Sequence, residues 1–309
     1  MSARRSRRTA AAIVLAAAAT ALIPTLANAA TPAAGPAKIL NGTKGNGLTI
    51  SNGSQWVTMN GTRVNFHTDV RDLAWNPAGT KAAFIDGAGN LETADANGTD
   101  RVVVAKHPAG QTFSHPTWQV APADKRDGVA AKDNLVLVAT AKGVDRLERI
   151  SATAHHGTPT LLPLNHYNGA GNPNLPQTGN TWPSAGGSYG TIVYANTHTG
   201  DVYLRDDYLR QQGGAITKGS EPALSPNGEE VVFVRSVDGH DHLFEENLNT
   251  EAVKDLTPYA TTNYTEPTFS PNGQTIAFVA PSGIYTIPAN GSHRPVGTSS
   301  YTGLPAYRA

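Results

Sequence analysis

Along the chain, apolar residues fall into short runs broken by Gly, Pro and Asn rather than into long stripes of helical period. The clearest runs come in pairs around a turn. Pro222-Ala223-Leu224 leads into Ser225-Pro226-Asn227-Gly228, and Val231 and Phe233 then share one face by the period of two. Pro267-Thr268-Phe269 leads into Ser270-Pro271-Asn272-Gly273, followed by Ile276 and Phe278 in the same relation. Proline at the second position and glycine at the end make each tetrapeptide a turn, so each segment predicts a strand, a tight turn and a second strand. Leu73 to Phe84 repeats the pattern around Asn76-Pro77-Ala78-Gly79, with its aromatic again five residues beyond the glycine.

Weaker copies fill the intervals. Pro116-Thr117-Trp118 opens a unit whose turn is swollen by Ala123 to Lys132, and Thr181-Trp182 opens another that continues at Thr191 to Ala195. Pro305-Ala306-Tyr307 looks like a first strand that then stops. Leu91 to Lys106, Arg146 to Pro163, Asp201 to Lys218, His242 to Pro258 and Gly283 to Thr298 each supply the strand, turn and strand of a second half. Asn-Gly, the favoured two-residue hairpin turn, recurs at 41, 46, 52, 60, 97, 168, 227, 272 and 290. Four strands in each unit of roughly 40–45 residues is the signature of a propeller. Unit starts at Leu73, Pro116, Asn180, Pro222, Pro267 and Pro305 predict an all-β, six-bladed β-propeller. Its last blade is completed by N-terminal strands near Leu48 to Ile50, Gln55 to Met59 and Thr62 to His67, so the two chain ends pair within one sheet.

The motif P-x-[FWL]-S-P-x-G-x-x-x-x-F, complete at Pro222 to Phe233 and Pro267 to Phe278 and partial at Leu73 to Phe84, resembles the WD40-like (PD40) repeat. That repeat occurs in TolB proteins of the periplasm and in the propellers of prolyl-oligopeptidase-type enzymes. The resemblance implies the fold and is nearly silent about activity. TolB proteins carry an α/β domain ahead of the propeller, for which Ala30 to Thr43 are too short.

The N-terminus sets the expected compartment. Arg4, Arg5, Arg7 and Arg8 precede an uncharged apolar run from Ala10 to Ile23, and Ala27-Asn28-Ala29 closes the segment. This order is that of a cleaved export signal over residues 1–29, by the general or the twin-arginine route, and the run is too short for a permanent membrane span. The domain reading is therefore signal 1–29, a flexible segment 30–43 and a propeller 44–309. The expected location is secreted or extracellular, or periplasmic in a Gram-negative source. Cleavage leaves 20 basic against 24 acidic residues, a net charge of −4 without a basic run, which argues against nucleic acid as a partner. With no cysteine, disulfides contribute nothing and an ordinary buried core must hold the fold.

Catalytic motifs mostly fail. Gly186-Gly187-Ser188-Tyr189-Gly190 has the spacing of a nucleophile elbow, but β-like residues follow it where a helix is required. His240 and His242 alternate in a way that lets both imidazoles face one side, a weak metal candidate against the plainer reading of a solvated turn. The residues just before each unit's opening position are Asp72, His115, Gly179, Glu221, Glu266 and Leu304. In a propeller these converge at one mouth of the central channel, so Asp72, His115, Glu221 and Glu266 form the candidate binding site. Two insertions offer a second surface: Ala121 to Lys132, with Asp124, Lys125 and Arg126, and Asn165 to Gly187, with Tyr167. Trp182 is expected to pack like Trp75 and Trp118. The functional expectation is a monomeric, non-catalytic propeller that binds a protein or peptide through its channel mouth and loops, with no cofactor beyond a possible structural cation. The alternative is a glycan hydrolase or lyase with a carboxylate/histidine site at the same mouth.

Overall fold

The computed structural model describes residues 39–166, 174–209 and 211–309, and Ile39–Ala309 form one unit. The expected export signal and Tyr167 lie outside the described residues. Every regular element described is a strand, and they form six sheets, each built outward from an innermost strand. Blade 1 consists of β1 (Leu48–Ser51), β2 (Trp56–Met59) and β3 (Thr62–Asn65), completed by β25 (Leu304–Tyr307). Blade 2 runs β4 (Arg71–Trp75), β5 (Lys81–Ile85), β6 (Leu91–Asp95) and β7 (Val102–Ala105). Blade 3 runs β8 (Gln111–Ala121), β9 (Lys132–Ala141), β10 (Val144–Ser151) and β11 (Thr160–Leu161). Blade 4 runs β13 (Asn180–Gly186), β14 (Thr191–Asn196), β15 (Asp201–Arg205) and β16 (Gln212–Lys218), and β12 (Asn165–His166) pairs parallel to β16 as an extra outer strand. Blade 5 is β17 (Ser220–Leu224), β18 (Glu230–Val237), β19 (His240–Asn247) and β20 (Ala252–Asp255). Blade 6 is β21 (Thr265–Phe269), β22 (Thr275–Ala280), β23 (Gly283–Pro288) and β24 (Val296–Ser299). The inner strands touch in the cyclic order β4, β8, β13, β17, β21, β25 and back to β4, so the ring is closed.

The repeat motif has a direct packing role. Phe84, Phe233 and Phe278, each five residues past the turn glycine, are fully buried and fill the space between blades. The turn itself closes by Gly228 N–H donating to Ser225 O and Gly273 N–H donating to Ser270 O, both at 2.8–2.9 Å. The Ser225 and Ser270 hydroxyls accept from the amides of Glu230 and Thr275, which anchors the start of each second strand.

Closure joins the ends as the sequence predicts. Antiparallel pairing sets Leu48 opposite Tyr307, Thr49 opposite Ala306, Ile50 opposite Pro305 and Ser51 opposite Leu304. Two glycines make the close approach. A Cβ on Gly47 (φ +73°) would lie 2.2 Å from Arg308 O, and one on Gly303 (φ +143°) 2.3 Å from Ser51 O. A second seam comes from the residues before β1. Gly42 N–H donates to Thr298 O at 2.8 Å and Ser300 N–H to Leu40 O at 2.9 Å, which laces residues 40–42 to the outer edge of blade 6. Asn41-Gly42 is thus part of a sheet edge, whereas Asn60-Gly61 makes the expected hairpin tip between β2 and β3, both residues with positive φ.

Candidate functional site at the channel mouth

Five of the six inner strands carry the same defect at the same place. Between Arg71 and Ala74, Ser114 and Thr117, Thr181 and Ser184, Ser220 and Ala223, and Thr265 and Thr268, the inner strand holds one residue more than its partner. The first residue of each bulge is Asp72, His115, Trp182, Glu221 or Glu266, with φ between +48° and +54°. A non-glycine side chain in this region costs on the order of 1–3 kcal/mol, and glycine would relieve it. Bulges re-aim side chains, and in four of the five blades the re-aimed side chain lines the mouth of the axis. The sixth inner strand pairs regularly with β1 and brings Leu304 to the corresponding place after Gly303.

The structure therefore changes one member of the ring. Gly179 precedes β13 and donates its amide to Asp145 O, while Trp182 takes the mouth position in blade 4. Ala185, three residues later, occupies the place that Trp75 and Trp118 hold in blades 2 and 3. The dipeptide Trp182-Pro183 carried this register, since it parallels His115-Pro116, Glu221-Pro222, Glu266-Pro267 and Leu304-Pro305.

Asp72, His115, Trp182, Glu266 and Leu304 line a mouth cavity of about 410 Å³. The same five also line an axial channel of about 450 Å³, walled by Ala74, Thr117, Ser184, Ala223, Thr268 and Ala306, while Arg71 joins them only at the rim of the mouth. Small side chains at these positions keep the axis open. Glu221 does not line either space. Its Oε2 accepts the Glu266 amide at 2.7 Å, as Asp72 Oδ2 accepts the His115 amide at 3.1 Å, so each carboxylate braces the bulge of the next blade. The His115 and Trp182 rings lie 3.9 Å apart, tilted by 51°.

Electrostatics follow from burial. Desolvation pushes the Glu266 carboxyl up to about 7, helped by the nearby charges of Glu221 and Asp72. Desolvation also raises Glu221, against the lowering effect of the hydrogen bond from the Glu266 amide. Burial holds the His115 imidazole below the usual histidine range, against the opposing pull of Asp72. Glu266 consequently binds a proton in the folded chain at pH values where the unfolded chain has released it. The resulting penalty is absent below about 4.5, grows as pH rises, and is complete above about 7. Glu266→Gln is expected to stabilise the protein by about 1–2 kcal/mol at pH 8, solvent screening included, and to change nothing near pH 4. Urea unfolding of both proteins across this range checks it; a pH-independent difference would refute the assignment.

The remaining sequence candidates sit elsewhere. His240 opens β19, and His242 is buried in the same strand with Nδ1 2.9 Å from Asp255 Oδ2, so neither stands in a solvated turn. Among the described residues no three His, Asp or Glu side chains form a metal-binding group. The swollen turn of blade 3 is internally organised: Asp124 Oδ1 accepts the amides of Arg126 and Asp127, and Arg126 pairs with Asp127 at 3.1 Å, leaving Lys125 exposed. The Tyr208 hydroxyl reaches across from blade 4 to Asp124 and Asp127. Ser188 lies in the tight turn between β13 and β14, without the following helix of a nucleophile elbow.

A group that sequence reasoning missed lies between blades 3 and 4. Arg205 and Asp207 form a fully buried ion pair, and Gln119 Nε2 donates to Asp207 Oδ2 at 2.8 Å. Arg205 Nε donates to Pro163 O at 2.8 Å, and Lys132 Nζ donates to the carbonyl oxygens of Asp207 and Tyr189. Burial, then Arg149, lowers Arg205 to about 10, which leaves it cationic at neutral pH. No spacing motif announces such a cluster, because Gln119 and Lys132 of blade 3 reach Arg205 and Asp207 of blade 4 only when the two blades pack.

No family model matches the chain, and no curated protein matches its sequence. Solved structures do. TolB from Acinetobacter baumannii superposes with a TM-score of 0.60 at 16% identity over 84% of this chain. This chain spans 65% of that protein's length. A putative TolB from Agrobacterium tumefaciens gives a TM-score of 0.59 at 15% identity, covering 84% of this chain and 89% of the other. At such identities the likeness is one of architecture, and it agrees with the repeat motif. The chain is a six-bladed β-propeller whose fold is similar to that of TolB.

Proposed function

We propose that the chain is an exported, non-catalytic propeller that binds a protein or peptide partner through the channel mouth and the adjoining loops. The observation that carries this reading is the run of five strained, non-glycine bulge residues, four of which, Asp72, His115, Trp182 and Glu266, line one mouth of the axis. Strain repeated in five blades is difficult to account for as packing, because glycine would fold there more easily. Export rests on the basic, apolar and A-x-A order of residues 1–29. The protein acts as a monomer, without a cofactor.

Affinity capture tests the reading. The chain from residue 30 onward, immobilised and exposed to culture supernatant of its source, is expected to retain a partner that an Asp72→Asn/Glu266→Gln variant retains roughly tenfold less. Identical retention by both proteins would defeat it. A second reading, a mouth enzyme acting on a glycan by hydrolysis or elimination, is favoured by one observation, the Glu266 carboxyl held at about 7, where a general acid is useful. Turnover abolished by Glu221→Gln and Glu266→Gln, with capture intact, would select that reading instead.

A further inference from the structure

The mouth has two kinds of wall. Blades 3 and 4 contribute the tilted, close rings of His115 and Trp182; across the axis, blades 2 and 6 contribute the carboxylates of Asp72 and Glu266 on either side of Leu304 from blade 1, with Glu221 behind. The negative charge is not neutralised from within. Among the described residues, no lysine or arginine lies within 4.0 Å of these three carboxylates. Arg71, on the rim, directs Nη2 to Asp86 O at 3.4 Å instead. Half-buried carboxylates without a counter-charge are unfavourable, so a ligand that brings positive charge relieves a cost already present in the free protein. The geometry also bears on which cation fits. The carboxylates do not gather with a third ligand around one metal-sized point. A cavity of about 410 Å³ with aromatic rings on one side and, facing them, two carboxylates flanking Leu304 matches a long side chain that is apolar along its stem and charged at its tip.

We propose that the channel mouth is a receptor for a basic side chain: a lysine or arginine of an extended peptide lays its stem along Trp182 and Leu304 and delivers its charge between Asp72 and Glu266. Trp182 adds attraction through its ring face, and the carboxylates supply charge-assisted hydrogen bonds. Glu221 is a positioning residue, holding the Glu266 main chain through its amide. Because Glu266 shares its surroundings with Glu221, Asp72 and His115, the arriving cation displaces a proton from this group of charges. Binding therefore tightens as pH rises from 6 to 8. The inference rests on the partner-binding reading of the mouth.

A displayed library of random peptides, selected at pH 8 on metal-free protein, tests it. Peptides selected on the wild-type chain are expected to be several-fold enriched in lysine and arginine, and the enrichment is expected to vanish on Asp72→Asn/Glu266→Gln. The best peptide, resynthesised with norleucine in place of its basic residue, should bind at least about tenfold more weakly, and Trp182→Leu should weaken it several-fold. The double variant is expected to melt no lower than the wild type, which separates lost binding from lost folding. Selection without basic enrichment, equal binding of the norleucine peptide, failure to select any peptide, or a requirement for millimolar calcium each overturns the proposal. If peptides still bind in a manner that depends on the mouth residues but without preference for charge, only this inference falls. If neither peptides nor a captured partner depend on the mouth, the functional reading falls with it.

Discussion

Deleting residues 303–309 is expected to lower the melting midpoint by roughly 10–20 °C and to broaden the transition. The deletion removes the whole of β25 and with it the backbone ladder to β1. Leu48 and Ile50, now buried, lose one neighbouring strand, and Ala306 leaves the cluster that contains Trp75 and Phe84. Arg308 is lost as well; its Nε donates to Gly79 O at 2.6 Å and its guanidinium lies 5.4 Å from the Trp75 ring centre, tying blade 1 to blade 2. With no cysteine for a disulfide, the seam of residues 40–42 is the other backbone-paired closure among the described residues. Removing β25 turns β1 from a paired strand into a free edge. Gly47→Val tests the same seam with one residue, since its Cβ would meet Arg308 O in a backbone conformation that valine avoids, and a loss of about 3 kcal/mol or more is expected. Circular dichroism melts and urea titrations of both proteins measure this. An unchanged midpoint after the deletion would mean that the seam contributes nothing to holding the ring.

The second large effect concerns the buried ion pair. Arg205→Met is expected to destabilise the protein by about 3–5 kcal/mol, because it leaves the Asp207 carboxylate buried without its cation. Asp207 Oδ1 already lacks a hydrogen-bond partner, so the Gln119 amide would be the one donor left to its carboxylate, with the Lys132 ammonium held nearby on the Asp207 main-chain oxygen. Removing both charges together, in Arg205→Met/Asp207→Leu, is expected to restore most of the loss, since a neutral pair leaves no stranded charge. Urea titrations of the two single variants and the double variant close the cycle. A single-variant loss under about 1 kcal/mol would show that the buried pair does not anchor the Gln119 and Lys132 contacts between blades 3 and 4.

The turn tetrapeptides and the aromatics beyond them made the fold legible, because each specifies a hairpin through local backbone preference and each aromatic marks a buried face. The mouth was legible only in part. Asp72, His115 and Glu266 follow from counting back one residue from each unit's start. In blade 4 the conspicuous Trp182 invited alignment with Trp75 and Trp118, and the true register was carried by the less conspicuous Trp-Pro pair. Glu221 occupies the expected strand position, yet its carboxylate turns to the Glu266 amide, a choice made by the neighbouring blade rather than by blade 5.

What the chain order determines by itself is the repeating hairpin, the number of units and the pairing of its ends, since these arise from contacts near in sequence and from one incomplete repeat at each end. Tertiary structure alone decides which side chains meet at the axis, which carboxylates stay unneutralised and where Arg205 is buried. Those properties depend on residues from different blades, 88 positions apart in the case of Gln119 and Asp207 and farther for Asp72 and Glu266, brought together and desolvated only when the ring closes.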